Sequence, residues 1–87
     1  MDCRIDVTYQ SGCYVVRVAG RLTDVQVPDL LRVCDALNPL QVDLVHLDSA
    51  NPVGIAALQR LQKAGAHMVG ATQFIQLLLD TNHSLHE

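Results

Sequence analysis

Apolar and polar residues alternate through the first twenty positions, and then the rhythm changes. In "CRIDVTYQSGCYVVRVAG" (3–20), Ile5, Val7 and Tyr9 are interleaved with Arg4, Asp6 and Thr8. A period of two puts every second side chain on one face of a strand. Ser11-Gly12 interrupts the pattern and predicts a two-residue hairpin turn. With that turn, Tyr9 faces Tyr14, Val7 faces Val16 and Ile5 faces Val18, so both strands share one apolar stripe. The other face pairs Asp6 with Arg17 and Thr8 with Val15. Cys3 falls opposite Gly20 in this register, which separates it from Cys13.

Beyond Gly20 the spacing becomes helical. "VPDLLRVCDALNP" gathers Leu30, Leu31, Val33, Cys34 and Leu37 on one face, with Pro28 suited to the first turn and Asn38-Pro39 a stop. "LQVDLVHLD" is a short apolar run rich in branched residues, which predicts a strand buried in mid-sheet. "PVGIAALQRLQKAG" predicts a second helix with Ile55, Leu58 and Leu61 as its inner stripe and Gly65 at its C-terminal cap. "AHMV" reads as a short strand. "ATQFIQLLLD" reads as a third helix capped by Thr72, its apolar stripe mostly core. Residues 80–87 read as a frayed tail.

The predicted order is β-β-α-β-α-β-α. Strand–helix–strand units call for parallel pairing through right-handed crossovers, and the opening hairpin adds an antiparallel pair. The expected fold is a single small α/β domain over residues 1–87, a four-stranded mixed sheet with about three helices. A ferredoxin-like fold needs a β-α-β-β-α-β order and fits less well.

Composition narrows the function. The chain has 87 residues, 49% of them apolar and 17% charged, with one Phe, two Tyr and no Trp. This excludes a disordered tail and requires an aliphatic core. The net charge is −3 and the six basic residues are scattered, so no nucleic-acid face is expected. No apolar run approaches the ~18 residues that would span a bilayer, and "MDCRID" lacks the features of a secretory signal. Three cysteines without a CxxC pair suggest a reduced, cytoplasmic protein.

"DSANPVG" (48–54) joins a strand end to a helix start and looks like a place for a reactive side chain. Asn51 is a favoured N-cap, and proline at the next position gives up a donor that had no partner there. At this point the chain resembles the STAS domain, the module of sulfate transporters and anti-sigma-factor antagonists. "VVRVAGRLT" resembles the family's second strand and its Gly-x-Leu-Asp turn. "VDLVHLDSANPVGIAALQRLQKAGA" resembles its third strand, loop and second helix, and "VGATQFIQLLL" its last strand end and helix. The resemblance runs from about Ile5 to Leu79.

Laid on the family pattern without gaps, Asp43-Leu44 match the Asp-Leu pair of the third strand. Asn51 then stands where the family has its loop Asp. Pro52 stands where the family has the Ser or Thr that a partner kinase phosphorylates, and Gly54 matches the family glycine. Asp48-Ser49 fall three positions too early for that motif. The chain departs again at Thr23, where the family turn usually has Asp. The resemblance implies a non-catalytic interaction module, not an enzyme, with Arg21, Thr23, Asp24, Asp48, Ser49, Asn51, Pro52, Val53 and Gly54 on its partner-binding surface. It implies an anti-anti-sigma-factor-like regulator whose contact is unswitched, because Pro52 offers no hydroxyl. The partner would be an anti-sigma factor of the ATPase-kinase type, or the ATPase subunit of an ABC transporter, as for the STAS subunit of the Mla lipid-transport system. Ser49 is the remaining, weaker candidate for modification.

Three alternatives stand beside this reading. One is a nucleotide- or lipid-binding domain using the free N–H groups at Asn51, although Pro52 deletes one of them. Another is a metal pair at His83 and His86, two ligands where three or four are needed, so no metal is expected. The third is self-association, a possible homodimer driven by apolar residues of the third helix. His46 reads as a hydrogen-bonded core or edge residue and His67 as a surface residue. Asp43 and Asp48 fall on opposite faces of one extended strand, which rules them out as an acid/base pair. No cofactor and no direct membrane insertion are expected.

Overall fold

The computed structural model describes residues 3–37 and 40–84, with side chains through residue 80. Strand β1 (Arg4–Gln10) and strand β2 (Cys13–Leu22) form the opening hairpin. Their register pairs Tyr9 with Tyr14, Val7 with Val16 and Ile5 with Val18, as the alternation requires. Ser11 and Gly12 both adopt positive φ, 51° and 78°, which is the signature of the mirror-image turn that matches strand twist. Helix α1 (Val27–Asp35) follows, then β3 (Leu40–Asp43), β4 (Leu47–Ala50), helix α2 (Pro52–Lys63), β5 (His67–Val69) and helix α3 (Gln73–Ser84).

The sheet order is β1-β2-β3-β5, with β4 also pairing to β2. The β1–β2 pair is antiparallel, and β2–β3, β2–β4 and β3–β5 are parallel. Both crossovers step the same way across the sheet, so their common right hand puts the helices on one face. Burial agrees: Val16, Val18 and Val42 join Leu30 of α1, Leu58 of α2 and Ile75 of α3 in one core. On the other face Asp6 and Arg17 are exposed.

The run "LQVDLVHLD" is two strands, so the sheet has five strands and not four. β3 pairs with Tyr14–Arg17 of β2, and β4 pairs with Gly20–Leu22, with a register shift between Gly20 and Arg21. The chain bends between them at Leu44–His46. Asp43 fixes the bend by accepting from the Val45 N–H at 3.0 Å, and Leu47 N–H closes it on the Leu44 carbonyl at 3.1 Å. Leu44 itself is fully buried, which kept the run looking continuous in sequence.

Several expectations need correction. His46 is exposed at the bend and not in the core. Its carbonyl accepts from Gly20 N–H at 3.0 Å. The apolar stripe of β1 is covered at Ile5 but not at Val7 and Tyr9, which are 45% and 61% exposed. In α3, Ile75 and Leu79 are buried, but Phe74 and Leu77 are each 61% exposed, so the "FIQLLL" stripe is only half core. That helix continues to Ser84, past the point where a tail was expected. Asn38-Pro39 and the last three residues of the expected tail lie outside the described residues.

The helix ends follow their sequence signals. Thr72 Oγ1 accepts from Ile75 N–H at 3.2 Å. At the end of α2, Gly65 has φ +110°, Ala66 N–H reaches the Leu61 carbonyl at 2.9 Å and Gly65 N–H the Gln62 carbonyl at 3.1 Å. That pair of bonds is a Schellman cap.

Candidate functional site

The site is built where β2 ends, β4 ends and α2 begins. Parallel pairing sets Arg21 beside Ser49 and Leu22 beside Ala50. Asn51 N–H then donates to the Leu22 carbonyl at 3.0 Å, tying the helix start to the end of β2. Asn51 has extended backbone (φ −80°, ψ 174°), and its side chain accepts from Gly54 N–H at 2.8 Å. This is an N-cap of the expected kind, with Pro52 at the first helical position.

The other end of the Asn51 amide crosses to the turn after β2. Nδ2 donates to Asp24 Oδ1 at 3.2 Å. Within that turn the Thr23 hydroxyl donates to Gln26 Oε1 at 2.8 Å and accepts from Val25 N–H at 3.3 Å. Thr23 N–H also donates to Gln26 Oε1, at 3.1 Å. Thr23 therefore holds the turn by its own bonds. The result places the Asp24 carboxylate at the positive end of α2, where the helix dipole favours it.

Most of the residues singled out from sequence do converge here. Arg21, Asp24, Asp48, Pro52 and Val53 are exposed, and Thr23, Ser49 and Asn51 are half-buried. Ser49 lies in strand β4. Gly54 is different: it is buried, and a Cβ there would stand 2.8 Å from the Leu22 carbonyl oxygen. It is a close-packing residue and not a surface one. Val25, 74% exposed beside Asp24, belongs to the surface but was missed. Its sequence signal is an apolar residue in a polar turn. Together Val25, Pro52 and Val53 put apolar area on the two segments that the Asn51–Asp24 bond holds together.

Other candidates fall away from this place. Asp43 and Asp48 are separated by the bend at Leu44–His46, so the single extended strand that was to place them does not exist. Asp43 faces Arg17, whose Nε lies 3.4 Å from Oδ2. His67 is exposed on β5. Among the described residues no three His, Cys, Asp or Glu side chains gather as metal ligands, and the side chains of His83 and His86 lie outside those described. Among the described residues Cys3, Cys13 and Cys34 form no disulfide, and Cys34 is buried. Burial, with a smaller push from Asp35, raises the Cys34 thiol to about 11. Burial also raises Cys3. A concavity of about 260 Å³ lies at the far ends of α1 and α2, lined by Cys34, Leu37, Leu40, Leu61 and Gly65. Among the described residues no helix is long and apolar enough to cross a membrane.

No protein-family model matches the chain, and no curated protein matches it in sequence. A solved structure does resemble it in shape: an uncharacterised protein of the DUF3478 family, with a SpoIIAA-like fold, from Shewanella loihica PV-4. The two share 11% identity with a TM-score of 0.57, over 95% of this chain and 79% of that one. The fold is thus SpoIIAA-like, the STAS-type arrangement of a small mixed sheet and three helices.

Proposed function

We propose that the chain is a non-catalytic protein–protein interaction module of the STAS type. Its contact surface is the junction of β2, the turn that follows and the start of α2. One observation carries this reading: an exposed Pro52 occupies the first position of a capped helix, followed by exposed Val53, with exposed Val25 on the turn that the Asn51–Asp24 bond ties to it. The same segments expose apolar Val25, Pro52 and Val53 and charged Arg21, Asp24 and Asp48. A proline there accepts no phosphoryl group. The contact is therefore unswitched, since a phosphate would have brought nearly two negative charges to it. The partner is an anti-sigma factor of the ATPase-kinase type, which makes the chain an anti-anti-sigma-like regulator.

A bound phosphate or nucleotide is disfavoured at this helix start. Asp24 already sits against Asn51, and a second anion would meet its charge.

The test is capture from an extract of the protein's own cell, with and without ATP, using the wild-type chain and a Val53→Asp variant as bait. Retention of one ATPase regardless of ATP, lost with Val53→Asp, and no phosphate on the bait support the reading. The identity of that ATPase separates an anti-sigma kinase from an ABC transporter subunit. A phosphate on Ser49 with release by ATP would restore a switch to the surface. Calorimetric binding of a nucleotide or fatty acid, abolished by Asn51→Asp, would replace the interaction module with a ligand-binding domain.

A further inference from the structure

The described sheet ends in β1 on one side and β5 on the other, and β4, four residues paired with β2 alone, also has an open side. β5 offers three residues, His67–Val69. β1 offers seven, "RIDVTYQ", without proline, glycine or a break in its register. An edge of this kind presents unpaired N–H and C=O groups to any strand that can lie beside it. The hairpin turn says which groups those are. A two-residue turn closes on a hydrogen-bonded pair, here Gln10–Cys13, and hydrogen-bonded and open pairs then alternate. Arg4, Asp6, Thr8 and Gln10 thus direct their backbone groups to β2, and Ile5, Val7 and Tyr9 direct theirs outward. The Tyr9 and Tyr14 rings meet at 4.7 Å between centroids, as suits an open pair, whose side chains stand closer. The outward backbone groups thus belong to the residues of the apolar stripe, which is uncovered at Val7 and Tyr9.

We propose that a second copy of this chain covers the edge, β1 against β1, antiparallel about a two-fold axis through Val7. The strand's own pattern selects that occupant, because it is self-complementary about Val7. Val7 meets Val7 of the partner copy, Ile5 meets Tyr9, Asp6 meets Thr8 and Arg4 meets Gln10. Every residue of β1 finds an opposite, no like charges face each other, and each outward residue meets another outward residue, the condition for exchanging backbone bonds. Moving the axis to Asp6 sets two carboxylates face to face, which destabilises. Moving it to Ile5 leaves Tyr9 without an opposite, and moving it to Thr8 leaves Ile5 without one. A slip by one residue mixes the apolar and polar faces. The antiparallel arrangement also sends the two Val25–Pro52–Val53 surfaces to opposite ends of the joined sheet. Both remain free, and the dimer presents two of them.

Sedimentation equilibrium of the full chain tests this. The wild type is expected to dimerise reversibly. Val7→Lys and Val7→Asp, each alone, place like charges on the axis and are expected to be monomers, and an equimolar mixture of the two regains association. The double change Phe74→Ser and Leu77→Ser leaves the dimer intact. A wild type that stays monomeric at its solubility limit, a dimer that survives Val7→Lys, or one lost with the α3 changes overturns the proposal. Val7 is half exposed, so its variants should fold. If they do not, amide exchange of the wild type decides. Protection of the Val7 and Tyr9 amides that grows with protein concentration supports the edge pairing, and concentration-independent exchange refutes it.

Discussion

Asn51 holds two segments at once: its Oδ1 caps Gly54 N–H at 2.8 Å and its Nδ2 reaches Asp24 at 3.2 Å. Replacing it with Ala removes both bonds and should cost about 0.5–2 kcal/mol, the range for loss of an N-cap. Asn51→Asp keeps the cap acceptor but sets a carboxylate against Asp24. Its deficit should shrink as pH falls through the carboxylate range, because protonation relieves the repulsion. Urea unfolding of both variants across that range separates cap from clamp.

Gly54→Ala should be worse than its one added methyl suggests. The new Cβ would meet the Leu22 carbonyl at 2.8 Å and Leu22 Cγ at 3.1 Å. Backbone does not yield cheaply, so α2 must lift from β2. The expected loss is about 1–3 kcal/mol, the range for overpacking a filled site. Thermal melts give the size. Weakened partner binding at a temperature where the variant is folded would show that the helix start has moved.

Ser11 carries the strain of the hairpin turn, with φ 51° on a residue that has a side chain. Asparagine tolerates that region better, and Asn-Gly is a preferred pair for this turn. Ser11→Asn should therefore stabilise the fold, by less than the roughly 1–3 kcal/mol that a residue in such a backbone well costs, since asparagine relieves only part of it. An unchanged or lowered urea midpoint would show that the turn is not under strain.

Cys34 gives the fold an alkaline limit. Its thiol lies at about 11, against an ordinary 9.0, because burial, and then Asp35, penalise the thiolate. The raised value means that the folded state keeps the proton while the unfolded chain gives it up. The thiol's contribution to stability is whole below 9.0 and is lost as pH climbs from there through about 11. Cys34→Ala should flatten that fall while lowering stability at neutral pH through the lost packing. The urea midpoint measured against pH in both proteins checks it, and parallel curves would count against Cys34 as the source.

What the sequence disclosed was mostly local. The hairpin register, the Asn51 and Thr72 caps and the Gly65 stop each follow from a few neighbouring residues, and each is present. The bend at Leu44–His46 was hidden because Leu44 and Leu47 are both buried, so hydrophobicity runs unbroken through the point where hydrogen bonding changes partner. The exposure of Tyr9, Phe74 and Leu77 was hidden for a related reason. Periodicity says which residues share a face, and only the tertiary arrangement says whether anything covers it. At the candidate site, the resemblance named segments that the fold does bring together, but it put Gly54 on the surface, where its close packing depends on a carbonyl far away in the chain. It also passed over Val25, whose neighbours in sequence are polar.

β2 runs for ten residues and holds β1 along one side and, along the other, β3 and then β4. This orders assembly. The hairpin closes over two residues and comes early, because short loops cost least to close. The two parallel pairings must wait for α1 to double the chain back onto a strand that already exists. A folding transition state built on β2 would then contain Val16 and Val18 but not the start of α2. The surface proposed to meet a partner would be among the last parts of the chain to form and the first to open.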